Sequence, residues 1–116
     1  MSTPTPNVSP FKIVVLKEGA SLILSMGTGY RDSIFATRAE EGFEGGGYDW
    51  QSLAAVFLAE KCPQLLDKIG FDSESSMFCA YSKDREALET FALAFHALCE
   101  NEAEMIAQFS RAEFDG

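Results

Sequence analysis

Residues 49–61 read Asp49-Trp50-Gln51-Ser52-Leu53-Ala54-Ala55-Val56-Phe57-Leu58-Ala59-Glu60-Lys61. Trp50, Leu53, Ala54, Phe57 and Leu58 recur at the three- and four-residue steps that line one face of an α-helix. Asp49 suits an N-cap, because its carboxylate can accept a free N–H of the first turn. The spacing predicts a helix from Asp49 to about Lys61 with one buried stripe. Such a helix is marginal alone, so the flanking segments must supply a second layer.

Upstream, Phe11–Leu16 is β-branched and apolar, Lys17-Glu18-Gly19 is a turn, and Ala20–Met26 is apolar again. Two such runs around a glycine-containing turn predict an antiparallel hairpin. Alternation places Phe11, Ile13 and Val15 on one face and Val14 and Leu16 on the other, and both faces are expected to be partly covered. Gly27-Thr28-Gly29 breaks the second strand. Asp32 is expected to cap a short helix through Ile34, Phe35 and Ala39, closed by Gly42, with a strand over 33–37 as the alternative. Phe43–Tyr48, with three consecutive glycines, reads as a loop.

Downstream, Pro63 suits the first turn of a helix over Gln64–Ile69 ended by Gly70. Phe71–Ser75 reads as a polar turn and Met77–Tyr81 as a strand. Ser82 or Asp84 then starts a helix with the stripe Leu88, Phe91, Ala92, Phe95, Leu98 and Cys99. Asn101 with Glu104 resembles a capping box for a last helix through Met105, Ile106, Phe109 and Ala112. The predicted fold class is α+β: a small antiparallel sheet, made of the N-terminal hairpin and a later strand, with helices packed on one side.

The chain has 116 residues, enough for one domain with its own core, and no repeat is visible. Met1–Pro10, rich in Pro, Ser and Thr, is expected to be a disordered tail ahead of a single domain over 11–116. Eighteen acidic residues face nine basic ones, a net charge of −9. Residues 84–116 alone hold eight acids and two bases. Nucleic acid and anionic membranes repel such a surface, whereas a basic protein is attracted and steered. Neither a secretory signal nor a membrane span is legible, so a cytoplasmic protein is expected. Cys62, Cys79 and Cys99 form no CxxC pair and lie in apolar stretches, which favours small buried side chains over a disulfide framework or a zinc site.

No constellation points to catalysis. Gly45-Gly46-Gly47 precedes a helix but lacks the lysine of a phosphate loop, and Asp49 places negative charge where an anion would sit. His96, the single histidine, has no partner legible by spacing. No G-x-S-x-G elbow occurs, and Asp72 and Glu74 lack the remaining ligands of a calcium loop. Glu100, Glu102 and Glu104 read as compensation at a helix start on a solvated face, with a docking patch as the alternative. Glu40, Glu41 and Glu44, flanking the glycines, form an acidic patch suited to a basic partner. Trp50 opens the buried stripe and reads as packing; exposed, it would anchor an interface. No catalytic, cofactor or metal residue is expected.

The stretch Gly42-Phe43-Glu44-Gly45-Gly46-Gly47-Tyr48-Asp49-Trp50 resembles the bacterial polymorphic-toxin immunity proteins of the Immunity protein 51 family. The likeness continues through Ser52-Leu53-Ala54 and returns at Phe71-Asp72-Ser73-Glu74 with Met77-Phe78. Gly46 stands where the family often carries Asn, so no side-chain contact is expected there. The resemblance implies a non-enzymatic α+β protein that binds a cognate toxin and protects the producing cell. The partner would present a basic surface and meet Glu40, Glu41, Glu44, Tyr48, Asp49, Trp50, Asp72 and Glu74. A non-catalytic adaptor or regulatory module unrelated to toxins fits the same composition.

Overall fold

A computed structural model of the chain describes residues 6–112. The hairpin forms as β1 (Lys12–Leu16) and β2 (Gly19–Ser25), paired from Lys12↔Ile23 to Leu16↔Gly19. Lys17 and Glu18 alone make the turn. Gly19 closes it with φ +108°, and any side chain there would overlap the Ser82 carbonyl. The later strands are β3 (Gly70–Phe71) and β4 (Met77–Ser82), and the antiparallel sheet runs β1-β2-β4-β3. β3 is a strand where a polar turn was expected. Its Gly70 pairs with Tyr81, whose ring lies so close that a Cβ would stand 2.5 Å from it. The absent side chain is what lets the aromatic ring cover this edge.

Four α-helices follow the expected order: α1 (Asp32–Ala36), α2 (Gly47–Lys61), α3 (Arg85–Glu100) and α4 (Glu102–Phe109). α2 and α3 lie on the sheet face formed by Leu22, Leu24, Phe78 and Ala80, and α4 packs against both helices. The stripe Trp50, Leu53, Ala54, Phe57 and Leu58 is buried throughout, as is that of α3. Rings crowd this interior: Trp50 stands 4.9 Å from Phe35, 5.6 Å from Phe11 and 6.2 Å from Phe95, centroid to centroid.

Caps decide several boundaries. Asp84 accepts the Ala87 N–H at 3.2 Å and opens α3; Asn101 accepts the Glu104 N–H at 3.2 Å and opens α4. Asp49 does not cap α2, which starts two residues earlier behind Gly46. Asp32 is the first residue of α1 rather than its cap, because Arg31 takes the left-handed conformation (φ 58°) ahead of it. α1 also ends at Ala36; a separate 3₁₀ turn, Ala39–Glu41, is the part closed by Gly42. Pro63 opens only a 3₁₀ turn, Pro63–Leu65, not a helix to Ile69. In α4, Gln108 is buried and Ile106 exposed, the reverse of the expectation for Ile106, because the Gln108 amide reaches Glu60 Oε1 on α2 at 3.0 Å.

Part of the N-terminal stretch falls within the described residues. Residues 1–5 lie outside the described residues, but Val8 is buried, its carbonyl accepts the Phe11 N–H, and the Ser9 carbonyl lies 3.1 Å from His96 Nε2. β1 is more open than expected. Val14, Val15 and Leu16 remain 41%, 47% and 49% exposed, since the helices cover β2 and β4 and leave this edge open.

Candidate docking surface

At one end of the sheet, where β2 finishes and β4 begins, three connections meet. The Met26 N–H donates to the Ser76 carbonyl at 3.0 Å, and the Gly47 N–H donates to the Ser75 carbonyl at 3.1 Å. Glu74 and Met77 bond to each other through their main chains (2.7 and 3.1 Å) and hold Ser75-Ser76 as a tight turn. Gly47 can come this close only because it has no side chain: a Cβ would overlap the carbonyl oxygens of Glu74 and Met77. The glycine loop and the 72–77 segment, separated by some two dozen residues of sequence, thus form one continuous surface.

Asp49 builds that surface from below. It is 8% exposed, and its Oδ2 accepts the N–H groups of Glu44 at 2.7 Å and Gly45 at 2.8 Å. A carboxylate receiving two main-chain donors is a strong, charge-assisted arrangement that fixes the loop before any partner arrives. Trp50 is 1% exposed and belongs to the core. In the free chain, neither Asp49 nor Trp50 presents its side chain on the surface. Tyr48, between the loop and these two, points outward and is 54% exposed.

The carboxylates divide into tied and untied groups. Arg38 grips Glu41 with both arms of its guanidinium, Nε to Oε2 and Nη2 to Oε1, each at 2.7 Å. That contact holds Glu41 below its ordinary pKa. The same Arg38 donates to the carbonyls of Phe109 (2.5 Å) and Ala112 (2.7 Å) and stacks over the rings of Phe43 and Phe109. Glu41 is thus part of a staple on the end of α4. Glu100 is also engaged: the Tyr30 hydroxyl donates to it at 2.5 Å and Arg31 lies 3.9 Å away. Burial, then this hydrogen bond, pushes the Tyr30 phenol well above its usual value. Glu40, Glu44, Asp72 and Glu74 are exposed and form no ion pair among the described residues.

Sequence reading passed over Arg31 and Arg38, since nothing in their spacing marks partners about seventy residues away. Exposed Glu44, Tyr48 and Glu74 flank the Gly47–Ser75 junction, whereas Glu40 lies on the 3₁₀ turn beside Glu41.

Burial raises the thiol pKa of Cys62, Cys79 and Cys99, which keeps them protonated near neutrality. His96 faces the Ser9 carbonyl, with Glu100 at 4.0 Å. Among the described residues, no three His, Cys, Asp or Glu side chains are gathered to hold a metal, and no helix is long and apolar enough to cross a membrane. One open groove of about 400 Å³ is lined by Lys68, Gly70, Tyr81 and Lys83; another of about 410 Å³ lies between α2, α3 and α4, against Phe57, Leu98 and Gln108.

The family model described as Immunity protein 51 matches residues 11–114. No curated protein and no solved structure matches the chain.

Proposed function

Because the chain belongs to the Immunity protein 51 family, we propose that it binds a cognate polymorphic-toxin domain directly and neutralises it one-to-one in the cytoplasm of the producing cell. Family membership over nearly the whole chain is the observation that carries this reading. The toxin would dock around the Gly47–Ser75 junction, where Tyr48, Glu44 and Glu74 are exposed, with Glu40 and Asp72 as further contacts. An exposed aromatic such as Tyr48 supplies apolar contact at small entropic cost. Untied carboxylates around it attract a basic partner and speed the encounter. A standard interface needs roughly 800 Å² per partner, a small share of the 6582 Å² this chain exposes. Inhibition by covering the toxin requires no catalytic group, which agrees with protonated thiols and a histidine turned to a main-chain carbonyl.

Co-expression with the toxin domain encoded beside it tests the proposal. Host survival together with a one-to-one complex on purification is the expected result. Survival without any complex, at concentrations where both proteins are folded, overturns direct inhibition. An adaptor unrelated to toxins would be indicated by failure to protect against every adjacent toxin-like product.

A further inference from the structure

We propose that β1 pairs edge to edge with β1 of a second copy of this chain, in register about Val15, to give a two-fold dimer with one continuous sheet. The sheet has two edges. β3 is two residues long, so β1 is the edge able to support pairing. Natural edge strands are commonly blunted by edge lysines, proline, a bulge or an inward charge, and β1 carries a lysine only at its first residue, Lys12. β1 has none of these along Ile13-Val14-Val15-Leu16, and three of its four apolar residues are exposed.

The hairpin register states which main-chain groups are free. Leu16 and Gly19 close a two-residue turn, so they exchange both hydrogen bonds, and bonding pairs then alternate. Lys12, Val14 and Leu16 bond to β2, while the N–H and C=O groups of Ile13 and Val15 point away from the sheet. No bond to those outward groups occurs among the described residues. A strand meeting its own copy across a two-fold axis must run antiparallel, and the axis must pass through a residue or between two.

Charge then selects the register. Centred on Val15, Lys12 of each copy reaches past the end of the partner strand toward Glu18 in its turn, and Val14 lies opposite Leu16 on the uncovered face. Centred between Val14 and Val15, Lys12 would oppose Lys17 and the outward amides would face bonded ones. Centred on Val14 or Ile13, no opposite charges meet. Two chains of net charge −9 repel over most of their surface. Residues 12–18 are an exception, with two lysines against one glutamate. A basic toxin has no comparable reason to choose this strip, so the second copy is the occupant.

The test uses the full chain alone and stands apart from the toxin reading. Sedimentation velocity over a concentration series up to about 100 μM should show a reversible dimer. Amide exchange at Ile13 and Val15 should slow as the dimer fills, while Val14 and Leu16 stay protected throughout. K12E and E18K, both at exposed positions, should each weaken the dimer about tenfold by turning two attractive cross-strand pairs repulsive. The double variant K12E/E18K should restore it. A monomer across the series overturns the proposal. So does concentration-independent exchange at Ile13 and Val15, or a dimer indifferent to both single reversals.

Discussion

The Gly47 N–H donates to the Ser75 carbonyl oxygen at 3.1 Å, across a gap that no side chain on Gly47 would permit. This contact joins the start of α2 to the turn before β4. Gly47→Ala would have to force the turn away from the helix, an overpacking error expected to cost about 3 kcal/mol. Urea unfolding measures the loss, and a change below about 1 kcal/mol would mean the turn yields freely.

Asp49 supports the same loop with a different force. Asp49→Ala leaves the part-buried N–H of Glu44 and the buried N–H of Gly45 without their acceptor, at an expected cost of about 2 kcal/mol. Asp49→Asn keeps one neutral acceptor and should lose about half as much. Equal losses in the two variants would assign the effect to packing rather than to charge-assisted hydrogen bonding.

Arg38 joins the 3₁₀ turn to the end of α4 through two carbonyls, a carboxylate and two rings. Arg38→Ala is expected to lower stability by about 2 kcal/mol and to speed amide exchange in the last turn of α4. Arg38→Lys should not rescue it, since an ammonium cannot present the planar fork.

Stability should fall on acidification. Hydrogen bonds from Arg38, Gln108 and the Ala87 N–H respectively hold Glu41, Glu60 and Asp84 below their ordinary values. A lowered folded pKa gives stabilisation that is complete above the unfolded value and lost as pH falls through the folded one, here below about pH 4. Relief of the −9 self-repulsion acts in the opposite direction. At about 0.15 M salt that long-range effect is screened beyond roughly 8 Å, so the local contacts should win. Urea midpoints from pH 7 to pH 3 give the slope, and a Glu41→Gln/Glu60→Gln variant should make it shallower. A midpoint that rises toward pH 3 would show that net repulsion dominates.

Toxin association should report on the proposed surface. Glu44→Lys with Glu74→Lys is expected to slow association about tenfold at low salt and to flatten its salt dependence. Tyr48→Ala should act mainly on dissociation, by about tenfold or more. Glu41→Lys should instead reduce stability, because Glu41 is committed to Arg38. Unchanged kinetics in all three surface positions would place the toxin elsewhere on the molecule.

Helix periodicity made the layers legible. The stripes from Trp50 to Leu58 and from Leu88 to Cys99 are buried as spaced, because a helix places residues on a face by local geometry alone. Asp84 and Asn101 cap for the same local reason. Gly70-Phe71, by contrast, carries no strand signal of its own: it is a strand because Tyr81 and Ala80 lie beside it.

By itself, then, the sequence determined the two-layer α+β plan, the hairpin, the burial of Trp50 and the excess of acid, all of which depend on composition or on residues a few positions apart. Only the tertiary structure decided which acids are free. Glu41 and Glu100 are tied by Arg38, Arg31 and Tyr30, and Asp49 is turned inward onto its own loop. Tertiary structure also set Gly47 on the 74–77 turn and left β1 uncovered. A charged side chain's partner is fixed by where distant backbone segments come to rest, and neither charge counts nor spacing encode that.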